Sequence, residues 1–118
     1  MRRIFGPESQ PSPEELDNFW RLMRHNNGKR NFHRLMRYIR DRRQHRERWI
    51  AALRDSVVPI QLINGSYDPV SGAHMVARFR ELVGHGDIVE LERIGHYPQI
   101  EAPDAVARHF MNFARQHD

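Results

Sequence analysis

The chain has 118 residues, enough for one compact domain that buries roughly two-thirds of its unfolded surface. It is 39% hydrophobic and 29% charged, and no apolar run approaches the ~18 residues of a membrane span, so no transmembrane helix is expected. Zero cysteines exclude disulfides, thiolate metal sites and a cysteine nucleophile, while the net charge of +4 is almost all arginine, Lys29 being the only lysine. Eleven arginines fall between Arg21 and Arg54, and five follow Ser56, so two regions of different character share the chain.

Residues 1–11 hold Gly6, Pro7, Ser9 and Pro11 with little periodicity and read as an extended lead-in. MRRIFGP has no apolar h-region, so secretion is unsupported and the cytoplasm is the expected location. Ser12, Pro13 and Glu15 form an S-x-x-E capping box with proline at the first helical position, which starts a helix. Leu16, Phe19, Trp20 and Met23 give that helix one apolar stripe, and Asn26, Asn27 and Gly28 end it. A second helical stretch from about Asn31 carries Phe32, Leu35, Met36 and Ile39. A third runs from about Asp41 to Leu53, with Trp49, Ile50 and Leu53 as its apolar end.

The pattern changes after Ser56. Val57 to Ile63 is a short, β-branched apolar run, the signature of a parallel strand buried on both faces, with Pro59 near its start. A turn-rich loop from Asn64 to Pro69 leads to a helix through Met75, Val76, Phe79, Leu82 and Val83, closed by Gly84 and Gly86. Asp87 to Leu91 makes a second strand, Gly95 to Pro98 a second loop, and Pro103 opens a last helix. This βαβα order predicts an α/β fold with parallel strands and functional groups in the loops beyond their carboxyl ends. Two parallel strands do not make a stable sheet, and the first 55 residues offer no others, so the chain is expected to be the end of something larger.

Asp68 and His96 occupy the two loops after the two strands and would emerge on the same sheet edge. A carboxylate so placed can accept a hydrogen bond from an imidazole, fix its tautomer and stabilise the imidazolium. Taken singly, an aspartate before proline is more often a turn residue and a loop histidine merely a loop histidine. The pairing across one crossover is what sharpens the expectation.

From Pro59 to Phe113 the chain resembles the C-terminal end of the α/β-hydrolase fold. The motifs are Gly65, Asp68 and Pro69 as Gly-x-x-Asp-Pro, then Gly95, His96, Pro98, Glu101 and Pro103 as Gly-His-x-Pro-x-x-Glu-x-Pro. IFGP, the Pro11-Ser12 start, the Asn27-Gly28 turn and RERWIAAL extend the resemblance to the helical cap of mesoderm-specific-transcript-like hydrolases, in the epoxide hydrolase and haloalkane dehalogenase branch. The resemblance implies a cap (lid) segment over residues 1–55 and the C-terminal part of the hydrolase core, with the last two parallel strands, over 56–118. It implies Asp68 as triad acid and His96 as base, and a small-molecule substrate.

The nucleophile that such a site needs, on G-x-S-x-G or His-Asp-Trp/Tyr-Gly, occurs nowhere in the sequence. The chain is therefore expected to be inactive alone, with the missing N-terminal half as its partner. With that half present, the branch implies an aspartate nucleophile, a covalent ester, and water activated by His96. Tyr38 is the cap aromatic placed in the substrate pocket, ahead of Trp20 and Trp49, although core packing is the commoner role for each. No cofactor and no metal are expected, since the other seven histidines lack a ligand pattern. The alternative is a basic helical module that binds nucleic acid or protein without catalysis. Glu14, Glu15, Asp17, Asp41 and Glu47 interrupt the arginine field and no nucleic-acid-binding motif occurs, so a nucleic-acid partner is not expected.

Overall fold

A computed structural model describes residues 2–118. It is a mixed helix and strand structure: α1 (Pro13–Arg24), α2 (Gly28–Leu35), α3 (Tyr38–Gln44), α4 (Arg46–Arg54), β1 (Gln61–Gly65), α5 (Ala73–Val83), β2 (Asp87–Leu91), α6 (Pro98–Glu101) and α7 (Pro103–Gln116). The capping box is fully formed, with the Glu15 amide donating to Ser12 Oγ at 3.1 Å and the Ser12 amide to the Glu15 carboxylate at 2.7 Å. Asn26 and Asn27 take left-handed φ values of 47° and 59° and turn the chain between α1 and α2.

The helical stretches after Gly28 are more broken than periodicity suggests. α2 ends at Leu35, and a turn at Met36 and Arg37 precedes α3, where amides of Arg37, Ile39 and Arg40 bond three residues back rather than four. His45, with φ at −109°, interrupts the expected third helix between α3 and α4. No residue of α2, α3 or α4 is fully buried, so little packing holds these arginine-rich turns to one continuous axis.

The strand expected over Val57 to Ile63 begins later, at Gln61. Val57 and Val58 are exposed, and Ser56 Oγ exchanges hydrogen bonds with the Val58 backbone ahead of Pro59. β1 and β2 pair in parallel, Gln61 opposite Asp87 through Gly65 opposite Leu91. Their residues are mostly half-buried rather than enclosed on both faces, because the sheet among the described residues has two strands.

The lead-in is the largest departure from expectation. Arg2–Ile4 forms a 3-10 turn, and Phe5, only 2% exposed, is among the most buried side chains of the protein. Its ring packs on Tyr97 at 5.3 Å and on Phe19 at 6.2 Å between centroids, tying residues 4–9 and α1 to the loop after β2. Hydrophobic burial is otherwise sparse, with Val76 and Val83 on α5 completing the enclosed core. The protein exposes 9066 Å², against about 6,700 Å² for a compact monomer of its mass. The radius of gyration is 16.3 Å, where a compact domain of this length has about 13.5 Å. Trp20, Phe32, Leu35, Trp49 and Phe110 are among the large apolar side chains left exposed. No helix among the described residues is long and apolar enough to cross a membrane.

Candidate active site

The site is assembled from backbone outward. Where β1 and β2 end, pairing continues into the loops: the Ser66 amide donates to the Leu91 carbonyl at 3.0 Å and the Tyr67 amide to the Ile94 carbonyl at 3.0 Å. The loops approach this closely because residue 65 is glycine, since a Cβ there would overlap the carbonyls of Gly95 and Ile94. Gly95 repeats the device on its other side, where a Cβ would meet the backbone of Ile4, Phe5 and Gly6. Three backbone segments therefore stack, and the His96 amide donates to the Ile4 carbonyl at 2.7 Å.

On this platform Asp68 and His96 meet. His96 Nδ1 lies 2.7 Å from Asp68 Oδ2. The carboxylate is buried and also accepts from the Val70 amide at 2.8 Å, the Ser71 amide at 3.0 Å and Ser71 Oγ at 2.6 Å. Burial pushes the Asp68 carboxyl up, but the hydrogen bonds from Ser71, His96 and Val70 and the nearby imidazole outweigh it, so its pKa falls below 3.8. An ionised carboxylate only accepts, so the proton between the pair sits on Nδ1 and donates to Asp68. That leaves the Nε2 lone pair free to take a proton from water or a hydroxyl. The His96 side chain is 33% exposed and Asp68 3%, which suits an accessible base held by an enclosed acid.

His96 opens onto a cleft of about 680 Å³ whose walls include Tyr38, Arg42, Ser71, His74 and Arg78. Tyr38 thus shares a cleft with His96, whereas Trp20 lies against the Lys29 ammonium at 4.1 Å and Trp49 faces an adjoining groove. No group of three or more His, Cys, Asp or Glu capable of holding a metal ion occurs among the described residues.

Sequence reading singled out neither Ser71 nor the task of Glu101. Ser71 is three residues beyond Asp68 in Asp-Pro-Val-Ser, a spacing at which an aspartate commonly bonds the turn that follows it, and that signal was available. The Glu101 carboxylate accepts from the amides of Gly6 (2.7 Å), Gly95 (2.8 Å) and Tyr97 (3.0 Å) and from Ser9 Oγ (2.6 Å). It clamps the lead-in to both flanks of His96. Two of these partners lie more than ninety positions away, beyond the reach of any local pattern.

No family model and no solved structure matches the chain. Curated relatives do. It is 40% identical over 105 residues to "Putative hydrolase LipZ" of Mycobacterium tuberculosis strain H37Rv, an alignment covering 89% of this chain and 36% of that protein. It is 34% identical over 112 residues to the mesoderm-specific transcript homolog protein of Homo sapiens, and 32% to the Mus musculus protein, covering 93% of this chain and 33% of each. The chain spans about a third of the length of the curated relatives it matches. By sequence it is related to proteins that include one named as a hydrolase.

Proposed function

We propose that the chain carries the acid and base of an α/β-hydrolase, Asp68 and His96, and acts with a nucleophile supplied by polypeptide outside these 118 residues. The observation that carries the reading is the 2.7 Å contact from His96 Nδ1 to a buried carboxylate already held in place by Val70 and Ser71. A turn aspartate without this role has no need to orient an imidazole, and a loop histidine has no need of a buried acceptor. In this reading residues 1–55 serve as cap segment and 56–118 as the last two strands of the core with their helices. The exposed sheet and helix faces are where the remainder of the fold would pack.

The proposed chemistry follows from the tautomer. A carboxylate nucleophile attacks an electrophilic carbon of the substrate and forms an ester, as the carbon–halogen bond breaks to release halide or the epoxide carbon–oxygen bond breaks to leave, on the adjacent carbon, an oxygen that takes up a proton. Water, losing its proton to His96 Nε2, then attacks the ester carbonyl, and the protein carboxylate and product part. Asp68 stabilises the imidazolium during that second step, while Tyr38 lines the cleft where the substrate would lie. The chain alone has an acid and a base but no nucleophile of this class, and it is expected to turn over no substrate.

The test is a chimera in which this chain replaces the matching 105 residues of the Mycobacterium tuberculosis relative. Retained epoxide or haloalkane hydrolysis, lost on Asp68→Asn and on His96→Gln, supports the reading. Turnover indifferent to both substitutions overturns it.

A further inference from the structure

Beside the His96 cleft lies a second cavity of about 520 Å³, within the range of small-molecule pockets. Its walls are apolar, with Ile39 from α3, Trp49, Ile50 and Leu53 from α4, and Phe79 and Leu82 from α5. Around these sit four guanidinium groups, Arg42, Arg43, Arg46 and Arg78. Arg78 pairs with Glu81 at 2.5 Å and Arg46 lies 3.6 Å from Glu47, both couples well exposed. Among the described residues no carboxylate comes within ion-pair distance of Arg42 or Arg43.

Arg42, Met75 and Arg78 line this groove and the His96 cleft alike, so the two are contiguous and cationic at their junction. The trough ends at the unpaired Arg42 guanidinium, with Arg78, held by Glu81, beside it, and this suits an amphiphile with an anionic head. We infer that the groove binds a linear aliphatic chain whose anionic oxygen head, a carboxylate, lies at Arg42. The chain runs along Trp49 and Leu53, and the head is left in the cleft that His96 faces. Planar guanidinium matches a carboxylate through paired N–H donors, and it is worth most where one flank is apolar.

This deepens the hydrolase reading by naming what the cleft accommodates, and it rests on that reading only for the use made of the head group. Binding is measured without turnover, so the two fail separately: decanoate can bind a protein that hydrolyses nothing, and hydrolysis can proceed without any decanoate site.

The experiment titrates the full chain carrying Trp20→Phe with decanoate and with decanol, reading the fluorescence of Trp49. Saturable binding is expected, tighter for decanoate and weakened by added salt. Arg42→Gln, alone or with Arg78→Gln, should weaken decanoate by about tenfold or more, the value of one charge-assisted hydrogen bond or better, and leave decanol nearly unchanged. Arg108→Gln, on α7 away from the groove, should alter neither. No saturable response to decanoate, equal affinity for the two ligands in the parent, or a groove occluded by a second copy in a stable dimer would each overturn the inference.

Discussion

Replacing Glu101 tests whether one carboxylate holds the histidine loop to the lead-in. Three donors, from Gly6, Ser9 and Gly95, converge on one oxygen, and the Tyr97 amide takes the other. Glu101→Gln keeps the shape and can turn its carbonyl oxygen toward the three donors, but it then sets an NH2 group against the Tyr97 amide. It loses one charged hydrogen bond outright and the charge from three more. Bonds to ionised groups contribute about 1.5–3 kcal/mol each, and this half-buried site lets water recover part of the loss, so about 2 kcal/mol is expected for glutamine and about 3–4 for alanine.

The pH dependence has a definite sign. Burial pushes the Glu101 carboxyl up, but the bonds from Ser9, Gly6, Gly95 and Tyr97 outweigh it and hold its pKa below 4.5. A carboxyl depressed in the folded state contributes stability that is fully present above 4.5 and is lost as pH falls through the folded value. Urea unfolding of the parent and Glu101→Gln, at low protein concentration, should therefore differ most near neutral pH and converge in acid. A difference that is unchanged in acid, or absent at neutral pH, would refute the clamp.

Three further outcomes follow from the geometry. Asp68→Asn in the chimera should lower turnover by about 10³–10⁴-fold, because an amide no longer enforces the Nδ1-protonated tautomer or balances the imidazolium; steady-state kinetics read this, and a loss below tenfold contradicts it. Gly65→Ala forces a Cβ into the Gly95 and Ile94 carbonyls and should destabilise by about 2 kcal/mol or more; an unfolding midpoint equal to the parent's would show that the loops do not stack as described. The chain by itself should self-associate with concentration in sedimentation, given its exposed apolar faces, and a strictly monomeric species with a sharp thermal transition would argue that those faces need no cover.

What the sequence revealed divides by range. The capping box at Ser12 and Glu15 and the strand at Asp87 to Leu91 were readable because each depends on neighbours a few residues away. Composition puts the strand start near Val57 rather than at Gln61, since a β-branched run looks the same whether a valine pairs in a sheet or stands in solvent before a proline. The breaks at Met36 and His45 were invisible because neither glycine nor proline marks them. Phe5 sits in a stretch without periodicity and is nearly fully enclosed all the same, because its partners Phe19 and Tyr97 are remote in sequence. Asp68 and His96 were legible as a pair, since strand ends fix where following loops emerge. Ser71 lies within reach of a local pattern, whereas two of Glu101's partners are more than ninety positions away.

In the proposed chemistry His96 acts in the second step. In the chimera, His96→Gln should still form the substrate ester on the nucleophilic carboxylate but fail to hydrolyse it. Mass spectrometry of the protein after mixing with substrate measures this directly. A peptide from outside the grafted chain carrying the substrate's added mass, accumulating in His96→Gln and not in the parent chimera, is the predicted result. A His96→Gln protein that turns over as fast as the parent, with no adduct, would contradict it.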